Sequence, residues 1–349
     1  MDVYGKNSTK LNRYRLLVNP TDFEIIMTSV MSASEVRALV EKLTQEIHRD
    51  IVGQERLIER LLVALFSDGH ILIEGPPGLA KTRTLTVLAS LVSGNLARVQ
   101  FTPDLLPSDL IGSEIYRPER GEFIIRKGPI FAHIVLADEI NRAPAKVQSA
   151  LLQAMQERHV TIADQTFPLP SPFMVLATQN PIDQEGTYRL PEAQLDRFLF
   201  KVIVPYPTAQ EEAAILALAS ASQAQASKRD AILLLDTVLA IRSVTEKVFC
   251  DPLIDRYIVT LVQATRDPSS FGFKGLVDWG ASPRASIALK RTAQSLALMR
   301  GKDHVTPDEV QVLAPDVLRH RLQLSFEGES TGMSVEQLIQ ELIKKVPRP

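Results

Sequence analysis

Glu74-Gly75-Pro76-Pro77-Gly78-Leu79-Ala80-Lys81-Thr82 is the stretch that decides the fold of this 349-residue chain. Before it stands His70-Ile71-Leu72-Ile73, short and apolar like a buried strand, and after it Thr84 to Leu91 has the composition of a helix. A glycine-rich turn between strand and helix aims consecutive backbone N–H groups into one concavity, and the helix N-terminus adds partial positive charge. These are the parts of a phosphate-binding loop. Lys81 is placed to reach the β- and γ-phosphates of a nucleotide, and the Thr82 hydroxyl to ligate Mg2+. Ala80 departs from the strict pattern, which has glycine there. By itself the stretch also fits a plain strand–turn–helix with a surface lysine, so its weight depends on the rest of the chain.

Outward from the loop, a strand–helix alternation predicts a layered α/β domain with a parallel sheet. The expected strands are His70–Glu74, Arg98–Thr102, His133–Ala137, Phe173–Thr178 and Leu199–Val204. Each is nearly continuous in apolar character, as strands covered on both faces are. Helices are expected at 83–92 and 144–157, the second with Pro144 at its start and Val147, Leu151, Ala154 and Met155 on one face. Two segments interrupt the alternation. Glu114–Arg117 and Glu122–Arg126 flank Pro118–Gly121, and Val160–Ile162 and Thr166–Leu169 flank Ala163–Gln165, so both read as hairpins inserted on the core.

Upstream, helices are expected from Ser32 or Ser34 and again after Ile51-Val52-Gly53-Gln54-Glu55. Downstream, Pro205-Tyr206-Pro207-Thr208 ends the sheet pattern and opens a helical remainder with helices near 209–221, 230–248, 251–266, 283–300 and 307–315. The glycine- and proline-containing stretch 267–281 reads as a loop. The expected division is an N-terminal extension at 1–32, a nucleotide-binding core at 33–206 and a helical lid at 207–349.

Composition is that of a globular protein with a large core: 45% hydrophobic, 23% charged, net charge −2. That balance supplies no global basic footprint for nucleic acid. A single cysteine, Cys250, excludes an intramolecular disulfide and a thiolate metal site. The N-terminus lacks the layout of a signal peptide, and no apolar run is long enough to span a membrane, so a soluble, cytoplasmic protein is expected.

About sixty residues beyond the loop, Ile134-Val135-Leu136-Ala137 ends in Asp138-Glu139. Asp138 is expected to hold Mg2+ through its water shell, and Glu139 to polarise an attacking water. The next strand ends in Thr178-Gln179-Asn180-Pro181, which sets an amide beside the carboxylates at the edge where open α/β folds bind ligands. Phosphoryl transfer also needs positive charge on the γ-phosphate. Arg197 in Leu195–Phe198 and Arg284 in Gly280–Arg284 are the leading candidates, with Arg189 a third. Arg197 and Arg284 are expected to converge on the same sheet edge as the loop.

With those residues in view, the chain resembles the MoxR family of AAA+ ATPases. The resemblance is carried by Ile51–Glu55, Glu74–Thr82 with its Ala80, Asp138-Glu139-Ile140-Asn141-Arg142-Ala143-Pro144, Ala177–Pro181, Gly186–Phe198 and Gly280–Arg284, and it covers about 33–325. It implies a five-stranded αβα P-loop core, a C-terminal all-helical lid and ATP with Mg2+ between them. By position, Val52 and Gly53 resemble the adenine-side contact, and Gly75, Pro76, Pro77, Gly78, Leu79, Ala80, Lys81 and Thr82 the Walker A loop. Asp138 and Glu139 resemble Walker B, with Thr82 and Asp138 facing the metal, and Asn180 resembles sensor 1. Arg197 matches an arginine finger acting on the neighbouring subunit, and Arg284 matches sensor 2. The hairpins resemble the helix-2 insert (about 112–128) and the pre-sensor-1 insert (about 159–170).

The resemblance further implies a homo-oligomeric ring, a hexamer, with a chaperone-like role in maturation or metal insertion and a separate von Willebrand factor A-type partner. A magnesium-chelatase-I-like motor subunit is the alternative. A nucleic-acid motor is disfavoured, because neither hairpin tip carries a basic cluster or stacking aromatics.

Overall fold

A computed structural model describes residues 31–181, 188, 190–221 and 231–349. Arg189 and most of the 1–32 segment therefore lie outside the described residues. The described fold begins with α1 (Ala33–His48) and α2 (Glu55–Phe66). There follow β1 (Ile71–Glu74), α3 (Lys81–Leu91), β2 (Leu96–Gln100), α4 (Pro107–Ile111), β3 (Gly112–Arg117) and β4 (Glu122–Lys127). Next come β5 (Ile134–Asp138), α5 (Ala145–Glu157), β6 (His159–Ile162), β7 (Gln165–Pro168), β8 (Met174–Gln179), α6 (Glu192–Leu195) and β9 (Phe200–Ile203). The remainder is α7 (Ala209–Ala221), α8 (Leu235–Thr245), α9 (Pro252–Arg266), β10 (Val277–Trp279), α10 (Pro283–Met299) and α11 (Pro307–Leu318). It ends with β11 (Gln323–Leu324), α12 (Phe326–Ser330) and α13 (Val335–Lys345).

Five strands form one parallel sheet in the order β2-β5-β8-β1-β9. The three inner strands are buried almost end to end, whereas β2 at one edge alternates toward solvent. That burial is why their sequences read as continuous apolar runs. On one face α5 lays Val147, Leu151, Leu152 and Met155 against Val135, Val175 and Phe173. The two inserted hairpins, β3–β4 and β6–β7, pair antiparallel as separate two-stranded units. In the first, the exposed rings of Tyr116 and Phe123 pack on each other with centroids 5.0 Å apart.

The C-terminal helices form the lid, and α10 packs on both α1 and α2. Helix α2 is buried on nearly all sides, Arg60 included. Arg60 donates to Asp316 of α11 at 2.8 Å, and Arg56 donates to the same carboxylate at 2.8 Å. Arg319 joins this cluster and also donates to the Lys201 carbonyl of β9. Core and lid are thus tied through one fully buried carboxylate.

The structure adds elements beyond those expected. The segment 267–281 is not only loop: it holds a short 3-10 turn, Pro268–Phe271, and β10, which pairs antiparallel with β11. The lid therefore carries one small ribbon among its helices. Residues beyond 325, outside the resemblance, form α12 and α13. Ser334 and Gln337 cap α13 reciprocally, and Leu338, Ile339, Leu342 and Ile343 are its buried stripe.

Candidate active site

The loop 75–80 joins β1 to α3 at the carboxyl edge of the sheet. A Cβ at Gly75 would stand 2.8 Å from the Val204 carbonyl, so the close approach of β1 and β9 requires glycine there. Ala80 precedes α3 in the left-handed region (φ 53°), which explains why glycine is the easier residue at this position. No side chain caps α3, so its leading N–H groups face the loop as donors for an anion.

Lys81 donates to the loop carbonyls of Gly75 and Pro76, the latter at 3.0 Å. Burial pulls its ammonium below the usual lysine range, against the opposite pull of Glu139, Glu74 and Asp138. Thr82 Oγ1 donates to Asp138 Oδ1 at 3.1 Å, and Thr178 Oγ1 donates to the same oxygen at 3.2 Å. The other Asp138 oxygen accepts from Arg98 Nε at 2.7 Å. Glu139 sits in the left-handed region (φ 56°), and its N–H donates to Thr178 Oγ1 at 3.0 Å. That turn swings the Glu139 carboxylate out of the strand line. There its Oε2 accepts from Gln100 Nε2 and from Arg142, each at 2.9 Å. Asn180 is buried at the end of β8, and its carbonyl accepts from Asn141 Nδ2 at 3.3 Å. Lys81, Thr82, Asp138, Glu139 and Asn180 line one hollow of about 360 Å3.

A second hollow, of about 420 Å3, lies on the other side of the loop. Val52, Tyr206, Pro207 and Ile215 give it an apolar wall, and it shares Gly78, Leu79 and Ala80 with the first. Gly53 has a positive φ of 66°, and a Cβ on it would overlap the Glu211 carboxylate. Gln54 fastens this side to the loop, donating to the Leu79 carbonyl at 2.8 Å while accepting from Thr84 Oγ1 at 2.8 Å. An apolar hollow and a cation-lined hollow joined by a loop of backbone donors match a base at one end and phosphates at the other. The oxygen donors Thr82 Oγ1 and Asp138 Oδ1, 3.1 Å apart, fit Mg2+, which takes few protein ligands and completes its shell with water and phosphate.

The arginines stand elsewhere. Arg197 precedes β9 and Arg284 opens α10, and both line a hollow with Gly69 and His70 at the start of β1. Leu199 N–H donates to the His70 carbonyl at 2.8 Å, so this is the amino edge of the sheet. Asp196 accepts from Arg321 at 2.7 Å and stands 3.6 Å from Arg284. The expected convergence of Arg197 and Arg284 with the loop is therefore corrected. The parallel strands run from the arginine cluster to the loop, and neither arginine lines the hollow of its own Lys81.

Motif spacing also missed several contributors. Arg98 and Gln100 come from β2, whose place beside β5 cannot be read from order along the chain. Arg142 lies in the 3-10 turn after Glu139, and Gln54 stands outside any phosphate motif. Gln54 and Arg142 stand within runs that carry the family resemblance, whereas the only sequence signal of Arg98 and Gln100 is polarity two apart in an expected strand.

A family profile described as "ATPase family associated with various cellular activities (AAA)" matches residues 70–200, and one described as "AAA lid domain" matches 274–342. Chaperone MoxR1 of Mycobacterium tuberculosis is 49% identical over 320 residues, 91% of this chain and 84% of that protein. Protein MoxR of Methylorubrum extorquens is 30% identical over 331 residues, 90% of this chain and 96% of that protein. A solved structure of a candidate ATPase from Cytophaga hutchinsonii superposes with a TM-score of 0.84 at 43% identity, covering 91% of this chain and 97% of that one. Loop, acids, sheet order and lid agree with these matches, and the chain belongs to the MoxR family of AAA+ ATPases.

Proposed function

We propose that this chain hydrolyses ATP with Mg2+ as one subunit of a homo-oligomeric ring, a hexamer, and uses the cycle in a chaperone-like role on client proteins. The observation that carries the site chemistry is the pairing of Thr82 with Asp138 at 3.1 Å, beside Lys81 and Glu139 in one hollow. Backbone donors of the loop and Lys81 hold the β- and γ-phosphates, with Thr82 and Asp138 on the metal side. When bound there, Mg2+ would supply positive charge to offset the negative charge of the phosphates. Glu139 accepts the proton of the attacking water, and Asn180, one strand over, orients that water toward the γ-phosphorus. The bond to the β-phosphate oxygen breaks, and ADP and phosphate leave. Val52, Gly53 and Tyr206 bound the base.

The ring is inferred from the two sheet edges. Arg197 and Arg284 lie at the edge away from their own loop, and Arg197 Nε is buried with no hydrogen-bond partner among the described residues. An acceptor brought by a neighbour, the γ-phosphate of its nucleotide, would satisfy it, with Arg284 beside it. The chaperone role rests on the similarity to Chaperone MoxR1 of Mycobacterium tuberculosis. Client maturation or metal insertion, a separate von Willebrand factor A-type partner and action in the cytoplasm, where ATP is supplied, belong to the same proposal. So do the core and lid boundaries at 33–206 and 207–349.

Glu139→Gln tests this function directly. It should bind ATP as the wild type does while turnover falls by about two orders of magnitude or more. Wild-type turnover in Glu139→Gln sinks the mechanism. The same variant, held in ATP, is the form to use for capturing clients and partners.

A further inference from the structure

Strand β2 lies beside β5 with Arg98 opposite Leu136 and Gln100 opposite Asp138. Two residues apart on a strand, Arg98 and Gln100 face the same side. Both reach the acids that end β5: Arg98 takes Asp138 Oδ2 at 2.7 Å and Gln100 takes Glu139 at 2.9 Å. The two halves of the Arg98–Asp138 pair differ sharply in burial. The Asp138 side chain is 4% exposed and its Oδ1 is held by two threonine hydroxyls, whereas the Arg98 side chain is 59% exposed. Arg98 makes the one ion pair of Asp138 among the described residues, and it lines the phosphate hollow.

We propose that Arg98 is a positioning residue that sets the metal requirement of the site. It neutralises the Asp138 carboxylate while no metal is bound and competes for its charge with the Mg2+ that accompanies nucleotide. The inference deepens the ATPase mechanism above and rests on it for the ligand. Arg98 on Oδ2 and a metal at Oδ1 would share the single negative charge of one carboxylate and repel each other at close range, and the one that moves is decided by burial. Asp138 is packed among strands and pinned at Oδ1, so it cannot turn away. The Arg98 guanidinium swings into water at little cost, because an exposed partner loses little in leaving. Metal entry therefore displaces Arg98 and leaves Asp138 in place. The pair raises the metal concentration at which the site fills, and it keeps a buried carboxylate compensated in the interval between turnovers.

The test measures Mn2+ binding to the full chain saturated with ADP, by electron paramagnetic resonance, for wild type, Arg98→Met and Arg98→Lys. Arg98→Met keeps an apolar stem without the charge, and its Mn2+ midpoint should fall about three- to tenfold. Arg98→Lys restores the cation and should return the midpoint to within about twofold of wild type. Affinity for fluorescent ADP in excess EDTA should be the same in all three. An unchanged or raised Mn2+ midpoint in Arg98→Met overturns the proposal. So does a loss of metal-free ADP affinity, which would make Arg98 a phosphate ligand instead. Wild-type chain that binds no ADP with Mn2+ fails the ATPase mechanism itself, and this inference with it.

Discussion

At the carboxyl edge of the sheet, the acids around the loop meet counter-charges from their own chain. Asp138 pairs with Arg98, Glu139 with Arg142, and Glu74 with Lys201 at 2.9 Å. At the amino edge, Arg158, Arg197, Arg284, Arg291 and Arg321 surround one hollow that offers Asp68 and Asp196. Arg242 adds a sixth guanidinium through its pair with Asp68. Burial draws Arg158, Arg242 and Arg321 below the usual arginine range; Asp68 or Asp196 opposes this, and neighbouring arginines reinforce it. One edge balances its charge internally, and the other holds a surplus of cations assembled from core and lid. A surplus of that kind is stabilised by an anion from outside the chain, which in the proposed ring a neighbour's nucleotide would supply.

The largest effect that would break this contrast comes from Arg197. Arg197→Ala should lower turnover about a thousandfold while leaving ATP affinity near wild type, because the side chain is not in its own phosphate hollow. Mixing Arg197→Ala chains with Lys81→Ala chains should recover part of the activity, since each supplies what the other lacks. Recovery that never rises above the separate chains would place Arg197 outside the reaction. On the opposite edge, Glu139→Gln is the matching probe and should lose turnover with binding intact. Next in size, Arg98→Met should shift the metal midpoint and leave the amino edge untouched.

Acid separates the edges in another way. His70 opens β1 at the amino edge, where its Nδ1 accepts from the Val175 N–H at 2.9 Å and its Nε2 faces the Met155 carbonyl at 3.2 Å. A backbone N–H can only donate, so Nδ1 is the bare nitrogen and Nε2 carries the hydrogen. Burial, with Arg158 adding to it, lowers the His70 pKa from 6.5 to about 3. The folded ring stays neutral while the unfolded one protonates. The stability His70 contributes is therefore complete above pH 6.5 and is lost as pH falls from 6.5 toward 3. Thermal melts should show a shallower acid loss in His70→Gln than in wild type across that window; equal slopes would refute it. The smallest effect belongs to the loop. Ala80→Gly relieves the left-handed alanine but loosens the unfolded chain, so denaturant titration should show a gain of at most about 1 kcal/mol.

Much of this was legible in the residues. The five strands were expected from short runs rich in apolar residues, most interrupted in β2 by Arg98 and Gln100, and the observed spans differ by one or two residues at the ends. The starts of α9 and α10 carry Asp251 and Ser282, whose side chains accept from the N–H groups of Leu253 and Arg284. Strands β10 and β11 escaped because three and two residues show no period. Helix α13 escaped although its signal was present, in a capping box followed by apolar pairs at three-and-four spacing.

By itself the sequence determined the phosphate loop, the Asp138-Glu139 pair and the layered fold, since each is written in neighbouring residues whose chemistry needs no distant partner. Tertiary structure alone decided which end of the sheet each charge occupies and which charges meet. The two ends of a five-residue strand stand about 15 Å apart, so a residue just before β9 and one just after β1 face opposite edges however similar their motifs. Arg98 reaches Asp138 only because β2 lies beside β5, and Arg60 reaches Asp316 across 256 residues only because the lid folds back on α2. Strand order and helix packing follow from burying apolar faces over the whole chain, and no local pattern carries that sum.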